Sequence, residues 1–189
     1  MLGLAAAVVS YLVGSFPTAY LIGKYFRRID LSKNGTGNIG AMNAYAVTGS
    51  KAIGISVALI DVLKGFSMTF LFDKSSGLIL GLMAALFVVI GHNYSVFMRF
   101  KGGRGLAAAA GALLVIAPLA VPVYLAVYFV LRGVGMKLYL SSVIGILFAA
   151  AVLIYGMVPG PEAIALSAAI VAVVLSKHLL PLINEIKNA

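Results

Sequence analysis

The feature that most constrains this chain is a succession of apolar runs, each nearly long enough to cross a bilayer, separated by short segments rich in Gly, Asn, Lys and Arg. A hydrocarbon core of roughly 30 Å needs about 20 consecutive apolar residues in a helix. Residues 2–23, 52–72, 76–92, 138–157 and 161–180 fit that requirement. The stretch 106–131 is too long for one upright helix and contains Pro118 and Pro122, so it reads as two short helices meeting near Pro118. With 62% hydrophobic and only 10% charged residues, the chain lacks the polar surface of a soluble domain, a disordered chain or a secreted scaffold. It has no Cys, which removes disulfides, thiolate metal sites and a thioester intermediate.

The sequence therefore predicts an all-α integral membrane protein of seven transmembrane helices, two of them short, in a single domain over 1–189. Charge sets the orientation, because Lys and Arg stay on the cytoplasmic side during insertion. Splitting at Pro118 puts twelve of the fourteen basic residues on one side, in segments 24–51, 93–105, 132–137 and the C-terminal tail. An unsplit helix would strand Arg132, Lys137 and the tail outside, so the N-terminus is expected out and the C-terminus in. The net charge of +9 then reflects topology, and nucleic acid is not expected as a partner. The first run has neither a basic lead nor a small-residue cleavage site, and reads as a retained helix.

The connections on the outer side are short, whereas those on the cytoplasmic side are long and rich in Gly, so chemistry is expected there. The first loop contains Gly35, Thr36, Gly37, Asn38, Gly40 and Asn43, small residues that let backbone N–H groups converge on phosphate oxygens. Gly35, Gly37 and Gly40 imitate a G-x-G-x-x-G dinucleotide motif, but no strand precedes them and Asp61 falls inside a span. In the second loop Lys101, Gly102, Gly103 and Arg104 lead into a helix start, where dipole, amides and side-chain charge favour an anion. The plainer account is that these cations enforce topology and touch lipid phosphates. Asp61 and Lys64, at i and i+3, form an intramembrane pair that locks helices or serves function. His92 and His178 both fall at cytoplasmic ends of spans, as satisfied interfacial residues or substrate contacts. Ser141 and Ser142 suit ordinary helix packing. Two histidines with only Asp30 and Glu185 on that face make a poor metal set, so no metal and no cofactor are expected.

Taken together these motifs resemble the acyl-phosphate:glycerol-3-phosphate acyltransferase family of the PlsY type, small seven-span bacterial inner-membrane enzymes. The similarity rests on Gly14-Ser15-Phe16-Pro17, Gly35 to Asn43, Asp61-Val62-Leu63-Lys64-Gly65, Gly91-His92 and Phe100 to Gly105. The chain departs from the family pattern at Thr36, where Ser is usual, at Ala46, where Arg is usual, and at Arg104, where Lys is usual. Three residues after His178 stands Pro181 instead of Asn, with Asn184 the nearest amide.

The resemblance implies transfer of an acyl chain from acyl phosphate to the 1-hydroxyl of glycerol 3-phosphate, releasing lysophosphatidic acid and inorganic phosphate, the first step of phospholipid synthesis. It also implies a separate acyl-phosphate-forming enzyme upstream, an active site on the cytoplasmic face, Ser142 as an acceptor contact and His178 as a positioning group. A mixed anhydride is already activated, so alignment and oxyanion stabilisation suffice. Gly35, Thr36, Gly37, Asn38 and Asn43 would hold one phosphate, and Lys101, Gly102, Gly103 and Arg104 the other or the oxyanion. His92, His178 or a substrate phosphate would take the proton.

The alternatives are a diverged paralogue with another phosphorylated acceptor, or a small anion transporter or channel. Acyltransfer of the H-x-x-x-x-D type is disfavoured, because Phe97 and Ile183 stand where the Asp would follow His92 and His178, leaving neither His a carboxylate. A Cys introduced into the loop 132–137 is expected to react with an impermeant maleimide only from the cytoplasmic side. Labelling from outside overturns the seven-helix topology.

Overall fold

The structure, a computed structural model, describes residues 1–156 and 160–187. These form nine α-helices and one 3-10 turn, with no strand among them. The helices are α1 (Leu2–Ser15), α2 (Thr18–Arg27), α3 (Ala41–Thr48), α4 (Lys51–Ser76) and α5 (Leu78–Asn93), followed after the turn Val96–Met98 by α6 (Leu106–Ile116), α7 (Ala120–Gly133), α8 (Leu138–Gly156) and α9 (Pro161–Lys187).

One unbroken helix over 2–23 was expected, and this is not what forms. Pro17 excludes its predecessor from the helical region, so Phe16 turns to ψ 119° and α1 ends at Ser15. The chain re-enters a helix at Thr18, and the short α3 after the first loop also lay outside the expected spans. At Pro118 the break falls where the sequence placed it, because Ala117 is extended at φ −144° between α6 and α7. Pro122 lies in the first turn of α7, where its missing N–H costs nothing.

Five segments are long and apolar enough to cross a membrane, namely Leu2–Arg27, Lys51–Ser76, Leu78–Met98, Leu138–Tyr155 and Pro161–Lys187. The helices α6 and α7, of 11 and 14 residues, rise only about 16 and 21 Å at 1.5 Å per residue, short of a full crossing. Large apolar side chains cover the outside, including Leu4 on α1, Leu63 on α4 and Phe148 on α8, each more than half exposed. In water this would be one extended sticky surface, whereas against lipid it needs no cover.

α5 is central and packs against α1, α4, α6 and α9. With lipid on the outside there is little hydrophobic drive between helices, so close backbone approach must supply the attraction. Two crossings achieve it with reciprocal glycines. A Cβ on Gly65 would lie 1.9 Å from the Ala108 carbonyl oxygen, and one on Gly111 would lie 1.9 Å from that of Val62, which sets α4 against α6. Gly14 meets the Val88 carbonyl and Gly91 the Tyr11 carbonyl in the same way between α1 and α5. Gly111→Ala is expected to destabilise the protein by about 1–3 kcal/mol, the usual cost of overpacking. Gly133→Ala, with open space around it, should leave the melting temperature in detergent unchanged. Equal melting for both variants would remove the α4–α6 crossing as a stabilising contact.

Candidate active site

The site is assembled from a buried ion pair outward. Asp61 is 2% exposed and Lys64 is 7% exposed, one turn apart on α4 with Nζ 2.9 Å from Oδ1. Lys64 also donates to the Phe16 carbonyl at 2.6 Å, at the break between α1 and α2. Thr18, at the start of α2, donates its hydroxyl to Asp61 Oδ1 at 3.1 Å. The proline that breaks the first span thus frees a carbonyl and a hydroxyl, and this one ion pair engages both.

Spacing along the sequence left both histidines without a carboxylate, and this needs correction for His92. Asp61 reaches it from the neighbouring helix, with Oδ1 3.7 Å from His92 Nδ1. The other face of His92 is covered by the second loop. Gly103 donates its amide to the His92 carbonyl at 2.9 Å, and a Cβ on Gly103 would lie 2.0 Å from His92 Nε2. His92 therefore sits between the ion pair and the glycine loop.

Beside this group opens a cavity of about 260 Å³ that gathers Asn38, Asp61, His92, Arg104, Ser142 and His178 from six separate parts of the sequence. The first residues of α3 (Ala41, Met42), of α6 (Leu106, Ala107) and of α8 (Leu138, Tyr139) also line it. Helix starts carry partial positive charge and unpaired N–H groups, so those of α3 and α6 with Arg104 make the cavity suited to anions, whereas the first amides of α8 already donate to the Glu185 carboxylate. Asp61 opposes this little, since its charge is matched by Lys64. Among the described residues no carboxylate pairs with Arg104, whose guanidinium lies over the Tyr139 ring at 4.8 Å. His178 is 1% exposed, and its Nδ1 lies 2.8 Å from the Val174 carbonyl. A carbonyl only accepts, so Nδ1 carries a hydrogen and, in the neutral ring, Nε2 keeps the lone pair.

The remaining expected residues are elsewhere. Lys101, Gly102 and Gly103 line a narrow crevice on the far side of Asp61 and His92. Gly35, Thr36, Gly37 and Asn43 line neither space. Asn43 is buried and fully used within the first loop, donating to the carbonyls of Leu31 and Asn34 and accepting from the Thr36 amide and hydroxyl. It shapes the loop that presents Asn38. At the loop's start, the Ser32 hydroxyl and amide donate to Asp30 and hold its carboxyl below the usual carboxylate range.

Sequence reasoning missed Tyr124 and Tyr139. The Tyr124 hydroxyl pairs with Ser142 Oγ at 3.1 Å, and both tyrosines line the cavity. Their only sequence signal was an aromatic residue with a polar tip near the end of an apolar run. A second, apolar chamber of about 240 Å³ between α6, α7, α8 and α9 shares Leu106, Ala107, Tyr124 and Leu125 with the cavity around Arg104.

The family model described as glycerol-3-phosphate acyltransferase matches residues 4–187, and the chain belongs to this family. It is 46% identical over 117 residues to glycerol-3-phosphate acyltransferase 2 of Moorella thermoacetica, an alignment covering 62% of this chain and 60% of that protein. The chain thus spans less than two thirds of that relative's length. It is 42% identical to the glycerol-3-phosphate acyltransferase of Lactococcus lactis, over 75% of this chain and 67% of that protein. Among solved structures it is similar to PlsY (YgiH), an integral membrane glycerol 3-phosphate acyltransferase, in its glycerol 3-phosphate form. That match has a TM-score of 0.88 at 28% identity and covers 98% of this chain and 92% of that one. The lysophosphatidic acid form matches with a TM-score of 0.87 at 26% identity, with the same coverage.

Because Asn43 alone ties four partners across the first loop, Asn43→Ala should loosen it. Tryptic cleavage after Lys33 in detergent is expected to accelerate by about ten-fold or more, since lost buried hydrogen bonds cost roughly 1–3 kcal/mol each. An unchanged cleavage rate would leave the loop's shape to other contacts.

Proposed function

We propose that the protein transfers an acyl chain from acyl phosphate to the 1-hydroxyl of glycerol 3-phosphate, as a multi-pass bacterial inner-membrane enzyme whose active site faces the cytoplasm. The observation that carries this reading is the cavity around Arg104 lying against an apolar chamber with which it shares four lining residues, together with the family membership. Phosphate oxygens fit the end with Arg104, Asn38 and the helix starts. A fatty chain fits the chamber lined by Leu113, Ala149 and Leu153. The boundary residues Leu106, Ala107, Tyr124 and Leu125 would hold the carbonyl that joins them.

In the reaction the acceptor oxygen bonds to the acyl carbon, the bond from that carbon to the phosphate oxygen breaks, and inorganic phosphate leaves. No enzyme nucleophile is needed, because the donor is already an anhydride. This agrees with the setting of Ser142, whose hydroxyl is paired with Tyr124 and not with a histidine. His178, with Nε2 as the basic nitrogen of a side chain that lines the cavity, is suited to accept a hydrogen bond or the proton from the acceptor hydroxyl. His92, held between Asp61 and Gly103, acts on the loop. Arg104 neutralises the developing negative charge, and the neighbouring helix starts add fixed dipoles that need no reorganisation.

Purified protein in detergent with synthetic acyl phosphate and glycerol 3-phosphate is expected to release phosphate and form lysophosphatidic acid, identified by mass. Acyl-CoA should not replace the donor. Arg104→Ala should lower the rate by about 10²-fold or more, the scale of losing one oxyanion donor, while its melting temperature stays near that of the parent. Arg104→Lys should keep most of the activity. Full activity in Arg104→Ala would sink the phosphate assignment, and transfer only to some other phosphorylated alcohol would replace the acceptor.

A further inference from the structure

We propose that Glu185 is a positioning residue for this site, holding the start of α8 so that the Tyr139 ring carries Arg104 at the cavity. Glu185 lies in the last turns of α9, past Pro181, and belongs to none of the motifs that define the cavity. Its carboxylate accepts from the Tyr139 amide at 3.0 and 3.1 Å and from the Leu140 amide at 3.1 Å. Lys137, just before α8, donates from Nζ to the Glu185 carbonyl at 2.9 Å. The two segments are 46 residues apart in sequence, yet each closes the other's end.

The first amides of a helix have no acceptor of their own, and a carboxylate meets both their hydrogens and the positive end of the helix dipole. The clamp therefore fixes where α8 begins and which way Tyr139 leaves the backbone. The Tyr139 ring is what Arg104 rests on, at 4.8 Å. A flat guanidinium on a ring has its fork direction set by that ring, which a flexible cation in water does not. Ser142, one turn further along α8, lines the same cavity and is oriented by the same anchoring. Of the three helix starts at the cavity, α8 is already satisfied by the chain's own carboxylate. An incoming anion is thereby directed to Arg104 and the starts of α3 and α6.

The kinetic readout rests on the acyltransferase reading, so the test pairs it with one that does not. In purified full-length protein labelled with ¹⁵N-arginine, the Arg104 side-chain Nε–H signal, assigned by its loss in Arg104→Ala, reports whether the guanidinium is held. Glu185→Ala is expected to broaden or shift that signal and to raise KM for glycerol 3-phosphate about ten-fold while kcat changes less than about three-fold, the pattern of a misplaced binding group. Glu185→Gln, which keeps an accepting oxygen, should restore both to within about three-fold. In a Tyr139→Leu background Glu185→Ala should add nothing further, because the two act in one chain. If Glu185→Ala does not fold, Tyr139→Leu alone carries the test, since it keeps the α8 amides and their cap while removing the ring.

An Arg104 signal unchanged in Glu185→Ala, or in Tyr139→Leu, overturns the proposal. So does a fall in kcat and melting temperature together with KM unmoved, which would make the clamp merely structural. If the parent protein shows no transfer at all, the acyltransferase reading fails, and the Arg104 signal still decides the clamp.

Discussion

Asp61 and Lys64 are the contact on which the rest of this arrangement depends. Two unit charges in the interior of an apolar bundle are costly to desolvate, and removing one partner of such a pair typically costs 3–5 kcal/mol because the other is left bare. Here the pair is retained with further partners on Lys64 Nζ and Asp61 Oδ1. Lys64 holds the carbonyl freed at the Phe16–Pro17 break, and Asp61 takes the Thr18 hydroxyl and approaches His92. One interaction thus joins α1, α2, α4 and α5 at the level where the cavity begins. It also removes a difficulty for chemistry, since an unmatched carboxylate beside the cavity would repel the anions that Arg104 attracts.

The glycines do for the helices what the ion pair does for their ends. Gly65 with Gly111, and Gly14 with Gly91, bring backbones so close that a single added methyl has no room. Such crossings set α4 against α6, the helix that begins at the end of the second loop, and α1 against α5. Precise placement matters more for backbone donors than for long side chains, since an amide cannot reach and must be delivered by the fold. The cavity's suitability for anions is therefore largely a property of helix packing, with the Arg104 side-chain cation added to it.

Much of this was legible in the sequence, for physical reasons. Spans are visible because lipid demands a length, and the Pro118 break because charge would otherwise fall on the wrong side. Asn38 and Arg104 were singled out from the Gly-rich loops, His92 and His178 from their positions at span ends, and Ser142 from the family resemblance, and all five line one cavity. Other features were not legible. The break at Pro17 carried the same signal as Pro118, but no charge imbalance forced it to be read. The approach of Asp61 to His92 and the Glu185 clamp join residues on different helices, and single-chain spacing carries no record of which helices touch. Asn43 was read as a phosphate ligand because amides are good ligands, whereas its four loop contacts leave it the task of building the loop.

The departures from the family pattern can be weighed by where they fall. Ala46 is exposed on α3 and does not itself line the cavity, one turn after Met42, which does. Pro181 lies within α9, which continues through it to Lys187. Pro has no N–H to offer the Lys177 carbonyl, so the turn after His178 is held less by its own ladder. The end of α9 is instead held from outside, by Lys137 on the Glu185 carbonyl and by the α8 amides on its carboxylate. An amide side chain at position 181 would have been one hydrogen-bonding group near His178. In its place this chain anchors the segment through backbone groups of α8, which also carries Ser142 and Tyr139 to the cavity. Pro181 and Glu185 fall on the same helix, so where the ladder of α9 is weakened its end is fastened to α8.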